Sequence, residues 1–442
     1  MHHQSTTAAA GWTRWLPPAV WKQARQRHAP PKASSRWPLH ALVTVLLLMT
    51  WASGDSEAER FATARAVYVA CHQHDKRPGQ TVQGFHKALA HVPLPVLHAL
   101  CAAVRRLCGC LWQRGWHTCG FVVLACDGSR QECPRSAQLE QRLGCCGKKH
   151  SAPMLLLTTL VVLPAGLLWA WQVGPGPASE QAHLRALLPC LPRQTLLVAD
   201  AFYQGYDLYQ AILHAPASFL VRLSSRSQVY TDHKRPLERF REGLIWYWPQ
   251  KVQERQQPPL RLRLIRVRGK KRQDVWLLTN VLSSQRLSRP QAAILYRWRW
   301  HSEGVFRTYK RTLPKVKLWS RTEALVYREA EVSLLALQVL LAQTATTRRH
   351  AGVRTICRGS ARQELLGLRG GMTTTIGTRL GPRQRQAYQR HLAAVQAGSP
   401  RGKVRRQWPR RKDHKAPKPP KIRVLPQRLK AKIIKSFHAA SG

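Results

Sequence analysis

The sequence predicts an α/β fold in which helices flank a mixed sheet, and two kinds of segment support this prediction. The segments GFVVLACD and TLLVAD have the apolar, β-branched composition of buried strands, and they end on Asp127 and Asp200. Residues 179–188 and 205–213 have a helical pattern. Strands and helices that alternate along the chain are typical of an α/β unit. We place the first part of this core at residues 116–217.

A long apolar stretch at residues 154–173 resembles a membrane-spanning helix in length alone. Its first half is β-branched, and Pro164, Ala165 and Gly166 interrupt it. It therefore predicts two buried strands joined by a tight turn. A second apolar stretch, Leu39–Trp51, is too short to cross a bilayer as a helix. No membrane partner is expected, and an integral membrane protein is kept as an alternative interpretation.

Residues 218–287 are predicted to form a β-rich insertion that interrupts the core. The segments FLVRL, LRLRLIRVR and DVWLLTNV alternate or run apolar as strands do, and arginines are frequent among them. Residues 288–347 are then expected to complete the core. They contain a predicted helix over 290–312, with Ser288 as its N-cap and Pro314 after its end, and a second predicted helix over 322–347.

Both ends of the chain are basic. In residues 1–115, prolines separate short apolar-periodic stretches such as 96–112, which predicts a helical region that we expect to bind DNA. No helix-turn-helix can be assigned within it. Residues 348–398 are predicted to be helical. The tail, residues 399–442, shows no core-forming pattern and is expected to stay disordered until it meets nucleic acid.

The charge balance indicates the class of partner. Lys and Arg total 72 against 21 Asp and Glu, which leaves a formal net charge of +51. A polyanion relieves such self-repulsion, so nucleic acid is the expected partner, whereas a merely solvated surface would carry both signs. Because acids are scarce, each acid in a buried segment is a candidate for function. Helix caps and arginine partners are the structural alternative.

The cysteines indicate the compartment. Eleven of them show no regular framework in a chain of 442 residues, which favours reduced thiols and a cytoplasmic location. The N-terminal segment does not resemble a signal peptide, because no charged stretch leads into an apolar one. A zinc cluster of Cys108, Cys110, His117 and Cys119 is an alternative, weakened by the lack of a second well-spaced pair.

One face of the predicted helix over 290–312 suits a phosphate backbone. Tyr296, Arg299, Glu303 and Lys310 lie at offsets of 0, 3, 7 and 14 residues. On a continuous helix, at about 100° per residue, they form one narrow stripe about 21 Å long. This stripe would place Glu303 on a metal ion and the other three side chains on phosphates or a sugar edge.

Two alternatives apply to this helix. Glu303 would form an i, i+4 ion pair with Arg307 if the helix were an ordinary surface helix. Trp298 and Trp300 would stack on unpaired bases in one interpretation and pack in the core in the other.

The strand-end acids suit metal-dependent chemistry. If the two strands are neighbours, the carboxylates of Asp127 and Asp200 are neighbours as well. Cutting or joining a phosphodiester needs an activated oxygen nucleophile and a stabilised leaving oxygen, which two metal ions about 4 Å apart provide. Mg²⁺ prefers carboxylate oxygens, and Glu303 would be a third ligand. A turn or helix-cap role is the alternative for each aspartate.

These residues resemble a known family. The pattern Tyr296-x2-Arg299-x3-Glu303-x6-Lys310 is similar, position for position, to the signature of the bacterial insertion-sequence family 4 DDE transposases. The β-rich insertion before the glutamate is also a feature of that family, and the resemblance covers roughly residues 120–345.

The two aspartate motifs extend the resemblance. Asp127-Gly128-Ser129 resembles the family's first acidic motif, and Asp200 followed by Phe202 and Tyr203 resembles the second. The loop after Asp127 departs from the family pattern because it is rich in cysteine, at positions Cys133, Cys145 and Cys146.

The resemblance implies a ribonuclease-H-like core in which Asp127, Asp200 and Glu303 bind two Mg²⁺ ions, with Mn²⁺ as a substitute. It implies cut-and-paste transposition: water attacks at the ends of the element, and the freed 3′-hydroxyl attacks target DNA. Family members often pass through a DNA hairpin with a flipped base near the active site. The residues that would then contact DNA are Tyr296, Arg299 and Lys310 on phosphates and Trp298 as a stacking candidate.

The expected partners are transposon-end and target double-stranded DNA, in the cytoplasm and on the nucleoid of a bacterium. Pairing of two ends favours a homodimer in the DNA complex. Two rival functions remain at this point: a basic DNA-binding protein without enzymatic activity, and a domesticated ribonuclease-H-like nuclease that cuts without joining.

Overall fold

The computed structural model describes most of the chain in two compact units. The described residues are 12–27, 36–72, 76–112, 116–146, 151–232, 236, 239–268, 274–350, 360–377, 419–431 and 433. The helical unit comprises residues 1–116, 128–178 and 303–403, and the sheet unit comprises residues 117–127, 179–302 and 404–442.

The α-helices are numbered in chain order. They are α1 (Pro18–Arg27), α2 (Leu39–Trp51), α3 (Glu57–Cys71), α4 (Val82–Leu89), α5 (Leu94–Trp112), α6 (Ala137–Leu143), α7 (Glu180–Leu187), α8 (Tyr206–His214), α9 (Gln250–Glu254), α10 (Arg289–Trp298), α11 (His301–Arg307), α12 (Glu323–His350) and α13 (Ala361–Gly377).

The strands are numbered in the same way. They are β1 (His117–Thr118), β2 (Phe121–Glu132), β3 (Met154–Val162), β4 (Leu167–Pro175), β5 (Thr195–Ala199), β6 (Ser218–Arg222), β7 (Gln228–Thr231), β8 (Glu242–Tyr247), β9 (Leu260–Arg268), β10 (Asp274–Thr279) and β11 (Lys421–Val424).

The helical unit is built around α2, and the predicted helical N-terminal region is confirmed. Twelve of the thirteen residues of α2 are buried. The indole Nε1 of Trp51, at its end, donates a hydrogen bond to the carbonyl oxygen of Ala336 in α12 at 3.2 Å. The apolar composition of Leu39–Trp51 is therefore that of a core helix packed between other helices.

The stretch 154–173 forms two strands, as predicted. β3 and β4 pair antiparallel, and residues 163–166 make the turn between them. Gly166 has a φ of 66°, a left-handed conformation in which glycine carries no steric penalty, and its N–H donates to Val162. In the described part of the chain, Leu94–Leu111 within α5 is long and apolar enough to cross a membrane, although core helices of soluble proteins meet the same criteria.

The sheet unit contains a mixed sheet with the strand order β11-β7-β8-β9-β10-β6-β5-β2. β2, β5 and β6 are parallel neighbours. The next four pairs in the sheet, β6–β10, β10–β9, β9–β8 and β8–β7, are antiparallel. In the helical unit, the Gly128–Glu132 part of β2 begins the order β2-β3-β4. The predicted mixed α/β fold with flanking helices is confirmed.

The parallel pair β5 and β6 is connected through α8. This helix buries Tyr206, Leu208, Tyr209 and Ile212, and the Tyr209 ring stacks on Phe219 of β6 with centroids 4.6 Å apart. A strand–helix–strand crossover of this kind is how parallel neighbours are joined. The segment FLVRL, which we predicted to open the insertion, thus extends the parallel part of the sheet.

The tail does not match its prediction. Residues 421–424 form β11, which pairs in parallel with β7, and Leu425, Leu429 and Ile433 are buried. The expectation of disorder is therefore wrong for residues 419–431 and 433. The apolar residues of this segment are widely spaced among lysines and arginines, and its pairing partner lies almost two hundred residues away in sequence. Residues 399–418 of the predicted tail lie outside the described residues.

Candidate functional site

Three parallel strands bring the predicted aspartates to one level of the sheet. Ala125 pairs with Val198 across β2 and β5, and Ala199 pairs with Val221 across β5 and β6. When the β2–β5 register is extended by two residues, Asp127 lies opposite Asp200. When the β5–β6 register is extended by one residue, Asp200 lies opposite Arg222. Side chains at equivalent register positions of parallel strands leave the sheet on the same face. Arg222 was not among the predicted site residues; its only sequence signal was its place at the end of an apolar run.

The position of Asp127 differs from its prediction in one respect. β2 does not end at Asp127 but continues to Glu132. The apolar run stops at Asp127, since no apolar side chain follows in the strand and most of the later residues are partly exposed. Strand pairing depends on backbone groups and therefore continues. The parallel partner β5 does end here, since Asp200 directly follows its last residue.

Ser302 holds the carboxylate of Asp127. The Ser302 side chain is fully buried, and its Oγ donates to Oδ2 of Asp127 at 2.8 Å. The same Oγ lies 2.8 Å from the carbonyl oxygen of Arg299. A hydroxyl donates only one proton, and a carboxylate is the stronger acceptor. Ser302 therefore orients Asp127, and it immediately precedes Glu303 in the chain; sequence reasoning overlooked it.

Asp200 lies in a turn that α7 holds in place. Its Oδ1 accepts the N–H of Phe202 at 2.8 Å, a common turn geometry for aspartate. The Tyr203 hydroxyl donates to Glu180 at 2.7 Å, and the Gln181 side chain donates to the carbonyl oxygen of Phe202 at 2.7 Å. The backbone around Asp200 is thus held at several points, while the Phe202 ring is 58% exposed.

Buried groups behind the aspartates stay neutral. Burial raises the pKa of the Cys126 thiol, and the charges of Asp127 and Asp200 raise it further. Burial likewise raises the pKa of the Tyr203 phenol. Neither group becomes an anion at neutral pH, so neither adds a negative charge behind the two aspartates.

Tyr296, near the end of α10, lies close enough to Asp200 to interact with its charge, and Arg299 follows the helix beside Tyr296. Burial raises the pKa of the Tyr296 phenol; Asp200 raises it as well, while Arg299 and Arg222 lower it. The Arg299 guanidinium lies 5.9 Å from the Tyr296 ring and 4.9 Å from the Trp300 ring. Arg299 is only 8% exposed, and its Nε has no hydrogen-bond partner among the described residues. The arrangement presents a neutral phenol and two cations next to a carboxylate.

The two tryptophans of this region differ in exposure. Trp298 is half-buried and stacks on His301, with ring centroids 6.3 Å apart and an interplanar angle of 18°. Trp300 is 56% exposed. The predicted stacking role of Trp298 stays a prediction, and its ring already has a protein partner.

The segment 290–312 is not one continuous helix, so the prediction of a single helix is wrong, and the stripe that assumed it stays a prediction. α10 begins with Ser288 as its N-cap, as predicted, but ends at Trp298. Arg299 and Trp300 form a turn because their N–H groups bond three residues back, and α11 begins at His301. Residues Thr308–Thr312 then form a π-helical turn. Angles taken at about 100° per residue do not apply across these changes of winding. The helix predicted over 322–347 is confirmed as α12.

Lys310 contacts the strand that follows Asp127. Its Nζ donates to Oγ of Ser129 at 2.8 Å and to the carbonyl oxygen of Arg130 at 2.7 Å. Burial lowers the pKa of Lys310. Two of its three ammonium protons are therefore committed to the protein, and its predicted phosphate contact stays a prediction. Glu303 is exposed in the first turn of α11 and does not form the alternative ion pair with Arg307 among the described residues.

Metal binding can be judged from the donors present. Within the described residues, no three His, Cys, Asp or Glu side chains form a group that could hold a metal ion. The alternative zinc cluster of Cys108, Cys110, His117 and Cys119 is therefore not formed among these residues. Ten cysteines are described, and none of these ten is in a disulfide bond. Asp127 and Asp200 form a pair of carboxylates at one level of the sheet, and such hard oxygen donors fit Mg²⁺ by their chemistry.

Comparison with known proteins gives a family for this part of the chain. Residues 119–338 match the family model described as "Transposase DDE domain". No curated protein matches the chain. Among solved structures, the "Cryo-EM structure of piggyBac transposase synaptic complex with hairpin DNA (SNHP)" is similar, with 10% identity, a TM-score of 0.43, and coverage of 92% of this chain and 85% of that chain.

The matched segment runs from just before β2 into α12 and includes the two sheet-end aspartates, their serine and arginine neighbours, and Glu303. Residues 119–338, just under half of the chain, thus match the transposase DDE domain.

Proposed function

We propose that this protein cleaves phosphodiester bonds at the ends of a mobile DNA element and joins the freed ends to target DNA. The observation that carries the proposal is the placement of Asp127 and Asp200 at one level of two neighbouring parallel strands, within the segment that matches the family. The proposal includes membership of insertion-sequence family 4, on the resemblance of Tyr296, Arg299, Glu303 and Lys310 to its signature.

Asp127, Asp200 and Glu303 would hold two Mg²⁺ ions, for which Mn²⁺ would substitute. When bound, such ions activate a water or hydroxyl nucleophile and stabilise the leaving oxygen. The protein's own contribution is to orient the carboxylates. Ser302 fixes one oxygen of Asp127, and the N–H of Phe202 fixes one oxygen of Asp200.

The cations beside the aspartates would hold the phosphate that reacts. Arg222 and Arg299 lie near the Tyr296 phenol, which lies near Asp200. A guanidinium presents a fork of donors that matches two phosphate oxygens. Arg299 is held against two aromatic rings, so little side-chain freedom is lost when it meets the phosphate.

The partners we propose are transposon-end and target double-stranded DNA, with two copies of the chain acting together on a pair of ends. The setting we propose is the nucleoid of a bacterial cytoplasm. The net charge of +51 supports a polyanionic partner.

The test is a product analysis. Purified full-length protein is incubated with a duplex that carries its flanking genomic inverted repeats, with Mg²⁺, with Mn²⁺ or with a chelator. We expect nicked ends, hairpins and joined products only with metal. Glu303→Gln should lose cleavage and retain DNA binding, whereas the control Glu323→Gln, at the start of α12, should cleave normally.

Cleavage without any joined product would support the nuclease alternative and contradict strand transfer. Full cleavage by Glu303→Gln, or none by the natural protein with either metal, would contradict the proposed function.

A further inference from the structure

A cavity of about 530 Å³ in the sheet unit is lined by an unusual share of arginine. It lies between the β8–β9 part of the sheet and the first turn of α10. Its lining contains no Asp or Glu among the described residues. The arginines that line it are Arg239, Arg241, Arg266, Arg268 and Arg289.

Only one of these arginines has an acidic partner in the described part of the chain. Arg266 donates through Nε to Asp274 at 2.8 Å, and its guanidinium lies 5.4 Å from the Trp276 ring. The other four are exposed and form no ion pair with any described residue. Like charges gathered in this way repel one another, and the repulsion is relieved when an anion lies between them.

The rest of the lining is apolar. Phe240 is buried, and Val267, Pro290 and Ala293 complete the wall. Arginines beside apolar surface suit a ligand that alternates anionic groups with less polar ones, such as the phosphates and sugars of a nucleic-acid strand. An isolated inorganic anion would use the arginines alone.

The start of α10 strengthens the positive field. Arg289 and Pro290 are the first residues of this ten-residue helix, whose dipole has its positive end there. The opposite end of the same helix carries Tyr296, which lies near Asp200. Arg289 at the cavity and Tyr296 near Asp200 are seven residues apart, which is about 10 Å along the helix axis at 1.5 Å per residue.

We propose that this cavity binds the sugar–phosphate backbone of the DNA strand that is cut at Asp127 and Asp200, a proposal that rests on the proposed function. Along the axis of a duplex each strand carries one phosphate per about 3.4 Å, so about 10 Å along that axis corresponds to about three nucleotides from the cut bond. The cavity then sets the register of the strand on the enzyme without reading its sequence.

The first test measures DNA binding in the absence of metal, so that cleavage does not enter. The variant is Arg241→Ala/Arg268→Ala in the full chain, and the control is Arg185→Ala/Arg193→Ala, which removes two exposed arginines elsewhere in the sheet unit. Duplex binding is followed by fluorescence anisotropy over a range of salt concentrations. The slope of log affinity against log salt should fall by about 0.9 for each phosphate that the variant no longer binds, and should stay unchanged in the control.

The second test locates the bound phosphate. Phosphate ethylation interference on the natural protein should show interference about three nucleotides from the cleaved bond. In the variant this interference should disappear, while that at the cleaved bond should remain. Thermal unfolding of both variants should match the natural protein, which separates weaker phosphate binding from a damaged fold.

Failure of this proposal and failure of the proposed function have different signatures. If the natural protein cleaves with Mg²⁺ and the variant keeps the salt slope and interference pattern of the control, the cavity does not bind the backbone. If the slope of log affinity against log salt falls in the variant but the natural protein shows no metal-dependent cleavage, the backbone site stands and the enzymatic proposal fails.

Discussion

One buried acid of the helical unit and two acids of the sheet unit are placed very differently. Glu329 in α12 is only 3% exposed; it accepts a hydrogen bond from the ammonium of Lys315 at 2.9 Å and others from the N–H groups of Trp319 and Ser320. Asp127 and Asp200, in contrast, are half-buried at the edge of parallel pairing. Both kinds of acid are rare in this basic chain, so rarity alone does not separate them.

The difference lies in what surrounds the charge. Burial would raise the pKa of Glu329, but Lys315 and the hydrogen bonds from Ser320 outweigh it, so the pKa is lowered overall. Such a carboxylate is occupied by its own protein. Ser302 donates to Asp127, and the N–H of Phe202 donates to Asp200. Under the proposed function, these aspartates lie beside cations that a phosphate would also contact, so their proposed role rests on partial exposure next to charged groups and not on deep burial.

The largest effect should come from the sheet-end acids. Asp127→Asn and Asp200→Asn keep the shape of the side chain and remove its charge, so metal-dependent cleavage should fall at least about 10³-fold, or about 4 kcal/mol of activation free energy. DNA affinity without metal should stay close to that of the natural protein. Single-turnover cleavage and anisotropy measure the two quantities, and cleavage within tenfold of normal would contradict the role of that aspartate.

The buried pair of the helical unit should affect stability instead. Lys315→Met leaves Glu329 charged, buried and without its counter-ion, which should cost about 3–5 kcal/mol of unfolding free energy. The exposed pair of Lys317 and Glu132, at 3.3 Å, provides the control, and Lys317→Met should cost less than about 1 kcal/mol. Urea unfolding checks both values. Equal losses of unfolding free energy in the two variants would contradict the expectation that the buried ion pair contributes more to stability than the exposed one.

A smaller effect on activity should come from Ser302. Ser302→Ala removes the hydroxyl that orients Asp127, and loss of such an outer partner reduces metal affinity or activity about 10–100-fold. The concentration of Mg²⁺ needed for half-maximal cleavage should rise, which a purely structural role would not produce. Ser283→Ala, an exposed serine in the same unit, is the control. An unchanged Mg²⁺ dependence in Ser302→Ala would argue against the positioning role.

The smallest effect should be a pH dependence in the helical unit. The hydrogen bond of His86 with Glu57, at 2.7 Å, raises the pKa of His86, and the charges of Glu57 and Glu329 add to this against the effect of burial. The pair therefore stabilises the fold fully below the unfolded pKa of about 6.5 and loses that contribution as the pH rises through the raised folded pKa. The contribution should be below about 1 kcal/mol.

Urea unfolding between pH 5 and pH 8 measures it. His86→Gln should reduce the dependence of the unfolding free energy on pH in this range, and His91→Gln, at an exposed position, should not. A decline of equal size in the His86→Gln protein would assign the pH dependence to other groups.

Local patterns in the sequence were sufficient for the elements that bury a continuous apolar face. β2, β5, the β3–β4 hairpin and α12 follow from apolar runs, β-branched residues and a turn at Pro164–Gly166, because burial and turn chemistry are encoded in neighbouring residues. The same reasoning placed Asp127 and Asp200 after apolar runs. The spacing from Tyr296 to Lys310 supported a resemblance to DDE transposases, and the match of residues 119–338 agrees with it at the level of the DDE domain.

Only the tertiary structure decided how distant segments meet. The parallel register of β2, β5 and β6 aligned Arg222 with the two aspartates, and a hydrogen bond over 175 positions of sequence joined Ser302 to Asp127. The break of the helix after Trp298 and the pairing of β11 with β7 also escaped sequence reasoning. Strand pairing and the Ser302 contact depend on partners far away in the chain. The sequence by itself determined most strands and helices and the acids to examine, because those depend on neighbouring residues and on composition.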